Sequence, residues 1–447
     1  MKTSRLIGTI VFLIAVSFGA KLEAQEATPK DPYSGDILSR STLTGDWAGF
    51  RNELAAKGVT IDMDITQVGQ GVVNGGKSGV WQYGGRGNIT INADSQKLGL
   101  WPGGFFKLEL EGNWASSVNP NTGALMAVNN NQLFPLPPGD IFAVPAWTFT
   151  QFLSPYAGLF IGKLDTTGGD MNEFAHGKGD TQFMNTALNF NAVALFTVPY
   201  STLGIGAIVL PTKDPNEAIL NFSVIQTNGF PNVSGFGDLN GNKLTFGGEG
   251  RVRTDFFGLT GHQLFGATFS NQRFTSIDQN VRVIIENRAL KPEKGSWNIH
   301  YNFDQYLYEP KKGGGRGLGI FGRLGASDGN PNFMKFYGSF GIGGKGVFDS
   351  RPHDQFGWGY YYIHVDNPSF QEPRQTRIFL RDEYGFEMYY NFALTPWAFL
   401  TPDIQIVRGS QKDKVTITQG PLGVLPRVDQ KSIGTSTVLG LRLQLVF

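Results

Sequence analysis

The chain has 447 residues, with 38 Lys plus Arg against 37 Asp plus Glu, and charged residues make up only 17% of it. Such a balance argues against a nucleic-acid partner, because nucleic-acid-binding domains usually carry a marked positive excess. The chain has no cysteine, which removes disulfides, thiol chemistry and thiolate metal sites.

Met1, Lys2 and Arg5 precede an apolar run from Leu6 to Ala20, and the small residue Ala24 follows. This order matches a secretory signal peptide over residues 1–24. Beyond it no apolar run approaches the roughly 18 residues that a membrane-crossing helix needs. Export therefore leads to the periplasm, the outer membrane or the outside. The 60 Gly and 36 Phe suit a barrel wall, where glycine permits bends and close approach and aromatics form interfacial girdles. They also suit a large soluble sandwich, so the residue pattern has to decide.

Residues 25–58 read as a polar lead followed by a short amphipathic helix. Asp46 is placed to cap it, Trp47, Phe50 and Leu54 share one face, and Gly58 ends it. Period-two alternation then begins. Ile61, Met63 and Ile65 alternate with Asp62, Asp64 and Thr66. Ile89 and Ile91 alternate with Asn88, Thr90 and Asn92, and Phe106, Leu108 and Leu110 with Lys107, Glu109 and Glu111. A long Asn-, Pro- and Gly-rich loop is expected near 116–148, either outside the pore or folded into it.

Further strands are expected at Phe149–Ile161, Asn189–Val198, Ile205–Leu210, Leu220–Gln226, Leu244–Phe257, Gln263–Gln272, Val281–Glu286 and Trp297–Tyr308. Others follow at Leu318–Ala326, Phe336–Lys345, Phe356–Val365, Glu383–Leu394, Asp403–Arg408 and Thr435–Phe447. In Glu383–Leu394 the even positions carry Tyr384, Phe386, Met388, Tyr390, Phe392 and Leu394, while the odd ones include Glu383 and Glu387. A lipid-crossing strand needs roughly 9 to 11 residues inside a closed barrel. The pattern therefore implies an all-β fold: a single transmembrane antiparallel β-barrel of 16 strands over residues 59–447, preceded by the short helix.

In a barrel the inward residues decide what crosses. Arg251, Arg253, Glu249 and Asp255 share the polar side of one strand, and Arg323, Arg442, Lys107, Glu109, Glu111, Glu383 and Glu387 take similar positions. A lumen with both signs holds little net field and offers hydrogen bonds to hydroxyls, which favours a neutral polyhydroxylated solute over ions. Trp81, Trp147, Trp297, Trp358 and Trp397 are girdle residues or stacking platforms for a sugar ring. The five histidines sit in no recognisable motif, and no metal or cofactor pattern is present, so catalysis is not expected.

Two stretches carry a family resemblance. One is Leu43-Thr-Gly-Asp-Trp-Ala-Gly-Phe-Arg-Asn-Glu-Leu-Ala-Ala-Lys-Gly-Val59. The other is Glu383 through Asp403, with Tyr389-Tyr-Asn, Thr395-Pro-Trp and Leu400-Thr-Pro-Asp. With Gly162-Lys-Leu-Asp165 through Asn172, they resemble the carbohydrate-selective porin family of Gram-negative outer membranes. The resemblance implies a sixteen-stranded channel, with inward Arg and Glu around a narrow eyelet, passing glucose and related monosaccharides by facilitated diffusion. It also implies a wall embedded in outer-membrane lipid and a terminal Phe447 strand read by the barrel-assembly machinery. A general diffusion or ion-preferring porin is the alternative, and the oligomeric state stays open.

Overall fold

The computed structural model describes residues 33–133, 141–168, 170–279, 289–367, 380–418 and 427–447. The expected signal peptide, residues 25–32 of the lead and the expected strand Val281–Glu286 lie outside the described residues.

The strands are β1 (Val59–Gly76), β2 (Val80–Asp94), β3 (Gly104–Ala115), β4 (Ile141–Ser154), β5 (Ala157–Asp165) and β6 (Ser201–Val209). They continue as β7 (Ala218–Gln226), β8 (Leu244–Thr254), β9 (Gly261–Thr275), β10 (Pro292–Tyr308), β11 (Gly317–Ser327) and β12 (Met334–Lys345). Next come β13 (Gln355–Val365), β14 (Glu383–Thr395) and β15 (Ala398–Arg408), a separate hairpin of β16 (Asp413–Thr418) and β17 (Arg427–Ser432), and β18 (Gly434–Val446). Apart from the hairpin, sixteen strands form one closed barrel, in which β15 pairs with β18 and β18 with β1. All its pairings are antiparallel. Closure leaves no unpaired edge, which is what a strand wall in lipid requires.

Alternation along each strand sets the two faces. On β14, Tyr384, Met388, Phe392 and Leu394 are exposed on the outer wall, while Glu383, Glu387 and Asn391 are buried inside. A groove of about 740 Å³ crosses the same outer surface from β4 to β8, lined by Phe149, Leu159, Ile161, Ile205, Phe222 and Phe246, and it is lipid-facing. Trp81, Trp297 and Trp358 are exposed, Trp147 stacks on Phe236, and Trp397 donates its indole N–H to the Ile37 carbonyl at 2.6 Å. Trp81 shares the outward face with its register partner Gly71, whose added Cβ would meet the indole at 2.4 Å.

The start of β1, the end of β18 and the tight turns, such as 155–156 and 396–397, lie at one end, and the long connections from β3 to β4, β5 to β6 and β7 to β8 leave from the other. Outer-membrane barrels place short turns in the periplasm and long loops outside, so the short-turn end is the periplasmic one.

Three expectations change. Asn189–Val198 is not a strand: Thr186–Asn189 forms a short helix and Ala192–Phe196 a 3-10 turn. Residues 189–193 are buried inside the barrel and the rest of the segment is mostly half-buried there, so its apolar alternation does not mark a wall position. Phe149–Ile161 is two strands, divided at Pro155-Tyr156, where proline removes a ladder donor and favours a turn. The N-terminal helix, α1 (Phe50–Ala56), starts after Asp46 and has Gly49 as its N-cap, without a side-chain cap. Gly58 does end it, at φ 90°.

α1 docks through Arg51, not through the Trp47–Phe50–Leu54 face, because Phe50 is exposed and Arg51 is buried. The guanidinium donates to the carbonyls of Phe447 (2.9 Å) and Ile61 (2.5 Å) and lies 4.0 Å from the Tyr33 ring centroid. The Leu43 N–H donates to the Val446 carbonyl at 2.8 Å, and the Phe447 N–H to the Met63 carbonyl at 2.8 Å. This clamp fastens the lead to the β1–β18 seam. Each charge-assisted hydrogen bond contributes about 1.5–3 kcal/mol. Arg51→Ala is therefore expected to lower the temperature at which the folded barrel loses its compact gel mobility by several degrees, with an unchanged pore conductance.

Candidate functional site

The lumen is partly filled by the chain itself. Most of residues 118–132 and of 172–193 are buried, and they pack on the inner faces of β10 to β15, of β18 and of β1. Phe174, Phe183, Leu188 and Val193 form one core with the wall residues Tyr306, Phe321, Tyr337, Tyr361 and Tyr389. Inward glycines make room for it. An added Cβ would meet the Phe174 ring at 2.3 Å from Gly319 and at 2.9 Å from Gly343, and the Phe183 ring at 2.8 Å from Gly357.

Inward charges of the wall then hold the infolded backbone. Arg323, fully buried, pairs with Asp170 at 2.8 Å and donates to the carbonyls of Leu188 (3.0 Å) and Ala175 (2.5 Å). Arg442 donates to the carbonyls of Gly179 (2.6 Å) and Gln182 (2.9 Å). Glu383 accepts the N–H groups of Leu125 (2.5 Å), Met126 (3.0 Å) and Ser410 (2.9 Å). Glu387 accepts those of Met184 (2.5 Å) and Asn185 (2.8 Å). These four candidates face inward as expected, but their partners are loop backbone and not open lumen.

The loop brings charges of its own. Burial opposes ionisation of Glu173, yet Lys345 at 2.6 Å and the Tyr306 hydroxyl at 3.0 Å bring its carboxyl down to about 2. Burial holds the His176 imidazole down at about 4, so it is neutral at physiological pH. Lys178 reaches Asp165 on β5, and Asp180 pairs with Arg86 on β2 at 2.5 Å.

Lys107, Glu109 and Glu111 on β3 join that second cluster. Lys107 and Glu109 pair at 2.6 Å, and Glu111 accepts from the Tyr200 hydroxyl. Cations and carboxylates alternate across it, so it presents local hydrogen-bonding capacity with little net field.

A third group sits on β7 to β10. Asn221 is the register partner of Glu249, Glu249 of Gly266, and Gly266 of His300. Because Gly266 has no side chain, the His300 ring lies over it and reaches Glu249 at 3.5 Å; an added Cβ would sit 2.2 Å from Nε2. Arg251 is next along β8. It is buried, yet its guanidinium makes no hydrogen bond or ion pair among the described residues, and Nε and Asn221 Oδ1 are without partners there. Every other inward arginine described above is tied to carboxylate or carbonyl oxygens.

Arg253 and Asp255 do not join this group. Arg253 ends β8 by pairing with Glu217 at 2.9 Å, and Asp255 lies past the strand, 3.2 Å from Lys312, at the periplasmic mouth. The sequence reading left out Arg86, Asp180, Asn221 and His300. Arg86 was legible: it continues the inward parity of Asn88, Thr90 and Asn92. The loop residues carry no periodicity that would place them.

A model described as "Carbohydrate-selective porin, OprB family" matches residues 81–447. Porin B of Pseudomonas aeruginosa is 24% identical over 497 aligned positions, covering 99% of this chain and 98% of that protein. The high-pH structure of Pseudomonas putida OprB superposes with a TM-score of 0.73 at 20% identity, covering 92% of this chain and all of that one. The low-pH structure of the same protein gives 0.55 at 17% identity, covering 92% of this chain and 99% of that one. With its closed sixteen-stranded barrel, the chain belongs to the OprB family of carbohydrate-selective porins of the Gram-negative outer membrane.

Proposed function

We propose that the chain, after loss of residues 1–24, is a passive pore for glucose and related monosaccharides, with Arg251, Glu249, Asn221 and His300 among the groups that contact the solute. The observation that carries this reading is the Arg251 guanidinium, unpartnered among the described residues, beside Glu249 and Asn221. A fork of N–H donors next to carboxylate and amide acceptors matches the vicinal hydroxyls of a sugar, which both donate and accept. Lys107 with Glu109 and Arg86 with Asp180 offer further polar edges, while Arg323, Arg442, Glu383 and Glu387 act indirectly by positioning the loop. The outward aromatic and aliphatic band contacts outer-membrane lipid, and the final strand ending in Phe447 is the segment offered to the barrel-assembly machinery.

Liposome swelling with purified protein tests the reading. Glucose is expected to enter faster than other solutes of equal size and to saturate. Arg251→Ala is expected to reduce glucose entry severalfold while a small neutral amino acid enters as before. Equal, unsaturable entry of every small solute would make the protein a general diffusion porin instead.

A further inference from the structure

On the β10–β18 side nearly every inward side chain lies under the infolded loops, whereas the inner face of β1 and β2 below Arg86 is open. Thr60, Asp64, Asn88, Thr90 and Asn92 are half-buried and Asp62 is exposed. Register places them in transverse rows that continue onto β3: Asp64, Asn88 and Glu111; Asp62, Thr90 and Glu109; Thr60, Asn92 and Lys107. Within the rows the Asn88 amide donates to the Asp64 carboxylate at 3.2 Å and the Asn92 amide to Thr60 Oγ1 at 3.3 Å. Two acceptors in these rows are buried without a hydrogen-bond partner among the described residues, Asn88 Oδ1 and Glu109 Oε2.

We propose that this surface is a second hydroxyl-binding subsite, on the periplasmic side of the Arg86–Asp180 pair, that receives one hexose as it passes that pair. The inference rests on the sugar-pore reading and extends it to a stepwise path. Neighbouring strands lie about 4.8 Å apart, and residues two apart on one strand about 6.8 Å, a grid comparable to a hexose ring with its hydroxyls. Carboxylate oxygens accept, and amide and hydroxyl groups both donate and accept, so each row can exchange hydrogen bonds with a sugar while no single sign dominates. Conduction through a selective pore favours several weak sites over one tight one, because a solute has to leave as well as enter.

The test uses the full-length barrel carrying Asn88→Ala, Thr90→Val and Asn92→Ala together, which leaves every charge in place. Heat-modifiable gel mobility checks that the variant has folded, and the concentration dependence of glucose entry into liposomes is compared with wild type. The half-saturating glucose concentration is expected to rise about tenfold, a difference of about 1.4 kcal/mol, with the maximal rate kept. Thr90→Ser alone should behave as wild type. An unchanged half-saturating concentration in the folded triple variant, with wild-type entry saturable, overturns the subsite and leaves the sugar-pore reading standing. Loss of entry for glucose and a small amino acid alike means a damaged pore and also overturns it. Wild-type entry that does not saturate overturns both.

Discussion

Replacing Arg323 by Ala is expected to turn a narrow, discriminating channel into a wide and permissive one. The guanidinium is fully buried, joins Asp170 and holds the carbonyls of Ala175 and Leu188. Removing one partner of a buried pair destabilises by about 3–5 kcal/mol, because the remaining charge is left uncompensated. The barrel wall does not depend on this contact: β11 keeps its ladders to β10 and β12. The loss therefore falls on the loop. Single-channel conductance in a planar bilayer should rise severalfold, and the entry rates of isomeric sugars in liposome swelling should converge. Unchanged conductance and selectivity would show that the apolar packing alone retains the loop.

Gly343→Val is expected to give a similar outcome by steric means. The inward face of β12 at this position meets the Phe174 side chain, where an added Cβ would lie 2.5 Å from the nearest atom. Gly319, its register partner on β11, faces the same ring at 2.3 Å. The aromatic ring cannot yield locally, since Tyr306 packs on it at a centroid separation of 4.8 Å. A valine therefore has to displace the segment around Phe174. The readouts are faster cleavage of the loop by added protease and increased conductance, with heat-modifiable mobility retained. The two substitutions reach the same segment from opposite causes, one by removing an attraction and the other by adding volume.

The wall was legible in the sequence because each strand has lipid on one side. Glu383–Thr395 and Gly434–Val446 show it most clearly, with alternate residues sorted by solvent. The filling of the lumen was not legible, because alternation loses its meaning when both faces of a segment are buried. Phe190, Ala192, Ala194, Phe196 and Val198 recur every second residue and so mimic a stave. Ala192 and Phe196 pack instead in or against the core that includes Phe321 of β11 and Tyr337 of β12, and Val198 packs against a separate core of Phe160, Leu164 and Ile208. The inward charges were also legible as inward. Their roles were not: Arg323 and Arg251 occupy equivalent alternation, yet one is tied to the loop and the other makes no hydrogen bond or ion pair among the described residues. That difference is made by segments distant in sequence.

The glycines on the inner faces of β11 to β14 divide the barrel into two kinds of wall. Along Gly319, Gly343, Gly357 and Gly385 an added methyl group would collide with an aromatic ring, so there the inner surface is constrained as tightly as the core of a soluble protein. Along the lower half of β1 and β2 the inner surface meets water. A saturation-mutagenesis map of this protein should therefore vary around the circumference as well as with membrane depth. Tolerance should concentrate in one sector, which is also where drift in solute preference between related chains would leave folding least disturbed.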